Sequence, residues 1–286
     1  MDAQHEIQVE SDAVEIKTCC ATAYQSDVAR LLLGDSFHPG GLKLTEHLGT
    51  LLHLGPQQRV LDVASGQGRS AIALAQRFGC QVLGIEYSTE AVKKATETAT
   101  EAGVTHLVTF QQGDAERLPV SDSTFDAVIC ECAFCTFPDK ATAASEFLRV
   151  LKPGGQVGLS DLTRTGDVPA TLQGLLAWIA CIADTQPVSS YTRYLTEAGL
   201  TVDLIEEHDE ALREMVQQIR GKLLGAELLI GLKKLDLPGS FDFEQAKALA
   251  KAAATAIQMN KFGYAVIIAS NALPLPIGVI LDGTIA

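Results

Sequence analysis

A glycine-containing turn after an apolar run is the part of this chain best suited to hold a ligand. Residues 60–63 are apolar except for Asp62, and a Gly66-Gln67-Gly68 turn and a predicted helix follow them. Glycines let a backbone approach a ligand closely, and the start of a helix favours negative charge. Glu86 ends the next apolar run, where a carboxylate can accept hydrogen bonds from a ribose. The order of strand, turn, helix and acid predicts a nucleoside site.

A cluster of cysteines offers a second kind of chemistry. Cys130, Cys132 and Cys135 lie at the end of a later apolar run. In an open α/β sheet the carboxyl ends of the strands form the ligand-binding edge. Cys181 lies on a predicted helix further along, and the pair Cys19-Cys20 precedes the first helical stretch. Soft thiolates select thiophilic centres, so the pattern predicts an acceptor of that kind.

Two other interpretations of the cysteines stay open. Cysteine is often a small, inert, buried hydrophobe, and this interpretation fits best at Cys80 and Cys130, which lie on apolar runs. The other interpretation is a zinc site formed by Cys132, Cys135 and the Cys19-Cys20 pair. It lacks the well-spaced Cys-x-x-Cys units that are usual in zinc sites.

Alternating strands and helices must position these residues. Apolar runs predict strands at 59–63, 81–85, 107–111, 125–130, 156–160, 201–206 and 263–269. Predicted helices lie at 68–78, 89–102, 140–151, 169–183, 189–198, 209–235 and 242–258, and two more are expected between residues 21 and 53. Alternation of this kind is typical of parallel βαβ units with helices on both faces of the sheet.

Composition excludes several classes of partner. The 286 residues carry a net charge of -13 without a cluster of Lys and Arg, which argues against nucleic acid and against an anionic membrane surface. The amino terminus lacks the features of a signal peptide, and no run of 18 apolar residues occurs. We therefore expect a cytoplasmic protein with mostly reduced cysteines and no membrane partner, and we make no prediction of its oligomeric state.

The ordered motifs resemble those of class I S-adenosylmethionine-dependent methyltransferases. The matching segments are residues 60–70, Glu86, Gly113–Pro119, Phe125–Val128 and Leu148–Gly155, so the resemblance covers about residues 55–165. It implies an α/β fold with a Rossmann-like, doubly wound sheet of seven mostly parallel strands. It also implies an N-terminal helical lid and helices inserted near the last strand. The implied division is a lid at 1–54, a cofactor-binding core at 55–165, and acceptor-capping helices with the last strands at 166–286.

The resemblance also implies S-adenosylmethionine as the cofactor and assigns its contacts residue by residue. The methionine and ribose portion would be lined by Asp62, Ala64, Ser65, Gly66 and Gly68. Glu86 would bind the ribose hydroxyls, Tyr87 would pack on the adenine, and Asp114 and Ala115 would bind its edge. The family usually has glycine where this chain has Ala64. A dinucleotide-type turn, Gly-x-Gly-x-x-Ala, is the alternative, but it gives no role to the later motifs.

Residues 132–140 and 180–183 are similar to segments of arsenite methyltransferases. The resemblance implies that Cys132 and Cys181 hold trivalent arsenic as the substrate, and that Cys19 or Cys20, of which we choose Cys20, is a further ligand. Cys135 is a further candidate thiol at the acceptor because of its position after the fourth predicted strand. Two departures are visible: Glu131 replaces the usual asparagine, and the family's cysteine-rich C-terminal tail is absent.

The alternative acceptor is a small organic molecule of the sterol, quinone or other natural-product type, with cysteines that are only structural. In that case Trp178 and its apolar neighbours would wall the pocket, and His38 would contact the acceptor. A sensor without catalysis is a third interpretation. The remaining histidines, among them His47 and His208, show no ligand spacing and are expected to be surface or capping residues.

Overall fold

Seven strands form one mixed sheet. The computed structural model describes residues 37–167, 184–231 and 242–272, together with residues 14, 17, 18, 172 and 182. The strands are β1 (Arg59–Val63), β2 (Gln81–Glu86), β3 (Val108–Gln112), β4 (Phe125–Glu131), β5 (Leu151–Arg164), β6 (Thr201–Glu207) and β7 (Phe262–Ser270). Their order is β3-β2-β1-β4-β5-β7-β6. Among these seven strands, β7 alone runs in the opposite direction to the others. The expected α/β fold with a mostly parallel sheet is therefore confirmed.

Seven α-helices lie in the described part of the chain. They are α1 (Gly41–Leu51), α2 (Arg69–Phe78), α3 (Thr89–Glu101), α4 (Lys140–Val150), α5 (Val188–Glu197), α6 (Asp209–Gly231) and α7 (Phe243–Gln258). Side chains of Ser88, Asp139 and Asp242 cap α3, α4 and α7 by accepting backbone N–H groups. The helix predicted at 169–183 and the first N-terminal helix lie outside the described residues.

Helix α1 packs directly on the sheet. Leu48 and Leu52 are 0% and 2% exposed, and a Cβ at Gly158 of β5 would lie only 2.8 Å from Leu48 Cδ1. The absence of a side chain at Gly158 therefore lets the helix approach the strand. This contact fixes α1 on β5, and Thr45 of the helix donates to Glu131 at the end of β4.

Strand β5 differs from its prediction because it begins directly after α4. Phe125 pairs with Leu151 but Ala127 pairs with Gln156, so residues 152–155 form a bulge opposite a single residue of β4. The Asn271 side chain donates to the carbonyls of Leu151 and Lys152 at 3.3 and 3.1 Å. The helix ends at Val150, before the Pro153-Gly154-Gly155 segment, and this segment lies within the strand and distorts it, although the strand was predicted to begin at residue 156.

The core lies between the sheet and the helices on its two faces. Its largest fully buried side chains include Tyr191, Tyr264, Phe125, Phe134 and Phe147. No helix among the described residues has the length and apolar character needed to cross a bilayer.

Candidate active site

The turn after β1 takes backbone conformations that favour glycine. Ala64, Gly66 and Gly68 have φ angles of 60, 52 and 79°. A Cβ at Gly68 would lie 2.4 Å from Phe110 Cζ, whereas a Cβ at Gly66 would meet no protein atom within 4 Å. Gly68 is therefore required for packing, while Gly66 faces open space. The left-handed conformation at Ala64 carries strain, which explains why glycine suits this position better.

Glu86 is held rigidly at the end of β2. Its Oε2 accepts from the Gly66 amide and its Oε1 from the Ser88 amide, both at 2.9 Å. Burial raises the pKa of Glu86, and the backbone hydrogen bonds partly oppose that shift. The carboxylate therefore fixes the glycine turn relative to β2 and keeps lone pairs for a ligand.

Two buried polar atoms beside the turn lack a hydrogen-bond partner. They are Asp62 Oδ2 and Ser65 Oγ, and no described residue pairs with either of them. Burial and the charges of Glu131 and Glu86 raise the pKa of Asp62 well above its usual range. A buried polar atom without a partner costs about 1–3 kcal/mol, and a ligand that pairs with it removes this cost. Asp62 and Ser65 both line one cavity.

The cavity brings together most of the residues assigned to the cofactor. Eight of the nine line it, namely Asp62, Ala64, Ser65, Gly66, Glu86, Tyr87, Asp114 and Ala115; Gly68 supports the turn from behind. Among the described lining residues, four carboxylates (Asp62, Glu86, Asp114 and Glu131) outnumber the two cations, Lys17 and Arg69. A cationic ligand fits this wall, since its charge offsets the mutual repulsion of the carboxylates. S-adenosylmethionine carries such a charge on its sulfonium, so these residues fit it.

Lys17 closes one side of the cavity. Its ammonium group donates to Asp114 Oδ2 at 2.8 Å and also to Glu116. The N-terminal region therefore reaches the wall assigned to the adenine. The N-terminal lid stays a prediction, because most of residues 1–36 lie outside the described residues.

Glu131 forms a network that the sequence did not predict. Its Oε2 accepts from Ser70 Oγ at 2.6 Å and from Thr45 Oγ1 at 2.9 Å, and His38 Nε2 lies 3.7 Å away. His38 Nδ1 lies 3.2 Å from the carbonyl of Pro39 and its Nε2 lies 3.3 Å from Thr45 Oγ1, so both ring nitrogens are within hydrogen-bond distance of a neighbour. These contacts join α1, α2 and β4 at the cavity. The only sequence signal was the replacement of the family's asparagine by Glu131.

Cys132 is the one described cysteine that lines the cavity. It follows β4 with a φ of 53°, in the left-handed region, and its amide donates to the Ser160 carbonyl at 2.7 Å. A non-glycine residue held in that region stores strain of about 1–3 kcal/mol, a feature that clusters at functional sites. The backbone of Cys132 is therefore held in place, and the residue lines the same cavity as the residues assigned to the cofactor.

The other cysteines have different surroundings. Cys135 is 1% exposed and does not line the cavity, because a short helical turn places it in the core, with its amide donating to Asp161 Oδ2 at 2.8 Å. Its position does not support the predicted role at the acceptor. Burial raises the pKa of Cys80 to about 11 and that of Cys130 well above its usual range, as expected for inert thiols. Cys20 and Cys181 lie outside the described residues.

Comparisons with known proteins agree with this site. A family described as "Methyltransferase domain" matches residues 54–218, more than half of the chain. The O-methyltransferase cnsE of Penicillium expansum is 30% identical over 235 residues, covering 81% of this chain and 78% of that protein. An arsenite methyltransferase of Halobacterium salinarum is 31% identical over 161 residues, covering 55% of this chain and 41% of that protein.

A solved structure shares the fold. The phosphoethanolamine N-methyltransferase 2 of Haemonchus contortus, in complex with S-adenosyl-L-methionine, superposes with a TM-score of 0.75 at 18% identity, covering 90% of this chain and 60% of that one. Against three curated relatives the chain spans 41–63% of their length. The chain belongs to the class I S-adenosylmethionine-dependent methyltransferase family, and S-adenosylmethionine is its cofactor.

Proposed function

We propose that this protein transfers a methyl group from S-adenosylmethionine to an acceptor bound beside Cys132. The observation that carries the proposal is that the residues assigned to the cofactor and the Cys132 thiol line the same cavity. Bound S-adenosylmethionine supplies an electrophilic methyl group on its sulfonium sulfur. The protein's contribution is to bind and orient the reactants, and such positioning can supply roughly 7–11 kcal/mol of a barrier.

Each cofactor contact has a defined task in this proposal. Glu86, already fixed by two backbone amides, accepts hydrogen bonds from the ribose hydroxyls. Asp62 Oδ2 and Ser65 Oγ gain the partners that they lack. Gly66 leaves room for the ligand beside its backbone, and Tyr87 and Asp114 contact the adenine. The carboxylates of the wall favour the cation over its neutral product, which assists product release.

The first acceptor we propose is trivalent arsenic or a related thiophilic metalloid. Cys132 binds it as a thiolate, and Cys181 and Cys20 complete the set in keeping with the resemblance. Each thiol loses its proton on binding, and the metalloid keeps a lone pair that the thiolates orient. No general base is needed at the metalloid itself. The arsenite methyltransferase relative supports this acceptor.

The second candidate acceptor is a small organic molecule with a hydroxyl group, and the Glu131 network favours it. His38 lines the cavity, and its Nε2, which lies 3.3 Å from Thr45 Oγ1, would take the acceptor's hydroxyl proton. The carboxylate of Glu131, 3.7 Å from Nε2, then stabilises the imidazolium. The O-methyltransferase relative that covers most of this chain supports this acceptor.

Release of S-adenosylhomocysteine with and without arsenite, in the presence of a thiol reductant, tests the proposal. If arsenic is the acceptor, arsenite stimulates release, Cys132→Ser abolishes the stimulation, and the matched variant Cys135→Ser keeps it because Cys135 is not on the cavity wall. Both variants should bind S-adenosylmethionine like the wild type, as measured by calorimetry.

The same assay separates the two acceptors. Arsenite-independent turnover of a phenolic or alcoholic acceptor that requires His38 but not Cys132 would replace arsenic with the organic acceptor. Failure of the wild-type protein to bind S-adenosylmethionine would overturn the proposal as a whole.

A further inference from the structure

Three side chains with metal-binding groups meet at a place that the proposed function does not use. They are His47 of α1, Glu206 of β6 and His208, the residue after β6. None of them lines the active-site cavity. Their side chains are 42, 31 and 25% exposed, so ions and water can reach them. Sequence spacing does not reveal this cluster, because 159 residues separate His47 from Glu206.

The ligand atoms point to one position. Glu206 Oε2 accepts from His47 Nε2 at 2.7 Å and from His208 Nε2 at 3.2 Å. All three ligand atoms lie within 4.8 Å of one another, and the two imidazole rings stand edge to face with centroids 5.7 Å apart. Ligand atoms around a tetrahedral zinc ion are about 3.3 Å apart, given metal–ligand bonds of about 2.0–2.1 Å. Only small side-chain movements would therefore admit a metal ion.

Rigid elements carry the three ligands. His47 lies on the helix whose Leu48 packs against β5, and Glu206 pairs with Val266 within the sheet. The His208 amide donates to the Tyr264 carbonyl at 2.6 Å, which anchors this residue to β7. Ligands fixed by a helix and a sheet lose little conformational entropy when a metal binds.

We propose that His47, Glu206 and His208 form a binding site for a divalent transition-metal ion of the zinc type. Two imidazoles and one carboxylate are ligands that such ions accept, and three protein ligands leave a fourth position for water. Each imidazole binds the ion through an unprotonated Nε2 and carries its one ring proton on Nδ1; a proton on Nε2 before binding is exchanged through solvent, either to Nδ1 or to the bulk. The ion links α1 to β6 and so stabilises the helix whose Thr45 holds Glu131.

Zinc binding by the full-length protein tests this site without reference to catalysis. The seven cysteines are competing ligands, so accessible thiols are first alkylated with iodoacetamide in every sample. Calorimetric titration with ZnCl₂ then measures binding to the wild type and to His47→Gln, Glu206→Gln and His208→Gln. Glu207→Gln is the matched control, since it removes a neighbouring exposed carboxylate that is not part of the cluster.

We expect one equivalent of Zn²⁺ to bind the wild type and the control, and each ligand variant to bind at least about tenfold more weakly. Zn²⁺ should also raise the Tm of the wild type but not that of Glu206→Gln. Co²⁺ bound to the alkylated wild type should give the visible spectrum of a nitrogen- and oxygen-ligated ion. No saturable binding by the wild type, or equal binding by the wild type and all three ligand variants, would overturn the proposal.

Discussion

Alanine at three glycines separates what the turn after β1 does for folding from what it does for binding. Gly66, Gly68 and Gly103 all have positive φ angles, of 52, 79 and 69°. Of these three glycines, only Gly68 has no room for a side chain, because an ideal Cβ there would lie 2.4 Å from Phe110 Cζ. Gly66 and Gly103 have open space there, but only Gly66 lines the cavity. Gly103→Ala is therefore the control for backbone strain alone.

The expected magnitudes follow from these surroundings. An alanine in the left-handed backbone region destabilises the folded state by about 1–2 kcal/mol. The lower conformational entropy of the unfolded chain offsets about 0.4–1 kcal/mol of this loss. Gly103→Ala and Gly66→Ala should thus each lose about 1 kcal/mol of unfolding free energy. Gly68→Ala adds the overpacking of Phe110, typically about 1–3 kcal/mol, for a total of about 2–4 kcal/mol.

Urea denaturation of the apo proteins measures the stability losses, and calorimetry measures S-adenosylmethionine affinity. Gly66→Ala should weaken cofactor binding by about tenfold or more, because its methyl group occupies space beside the ligand, while Gly103→Ala should bind like the wild type. The reasoning would be refuted if Gly66→Ala bound the cofactor normally, or if Gly68→Ala were no less stable than Gly103→Ala.

Two further predictions concern buried carboxylates. The pKa of Asp62 is raised in the folded state, chiefly by burial, so its contribution to stability is present below the unfolded value of about 3.9 and is lost as pH rises through the folded pKa. Asp62→Asn should therefore make the apo protein more stable at neutral pH and weaken cofactor binding; parallel Tm-against-pH curves for the two proteins would contradict this. Glu131→Gln keeps an acceptor for Thr45 and Ser70 but removes the charge beside His38. If the acceptor is an organic hydroxyl, kcat should fall about 10²–10⁴-fold at an unchanged cofactor Kd, and an unaffected kcat in an enzyme with such an acceptor would exclude this role.

Local sequence patterns predicted the strands, and the family resemblance assigned to the cofactor eight residues that line one cavity. The bounds of β1 match the prediction, and those of β2, β3, β4, β6 and β7 differ from it by one or two residues. Apolar runs separated by glycine turns and helix caps specify such strands without reference to distant residues. Glu86 could be placed at the site because, in parallel strands that are neighbours in the sheet, equivalent ends meet at one edge, whereas Asp62 was assigned by the family resemblance.

Tertiary packing decided what each reactive side chain can reach. Cys132 and Cys135 are three residues apart in the sequence, yet one lines the cavity and the other lies in the core, since the short turn between them rotates the chain. The Glu131 network depends on α1 packing over the sheet, which brings Thr45 to within 2.9 Å across 86 residues of sequence. The cluster of His47, Glu206 and His208 depends on the same packing and on the edge position of β6. Sequence periodicity sets which face of an element is buried, but only the assembled sheet sets which polar residues of different elements meet.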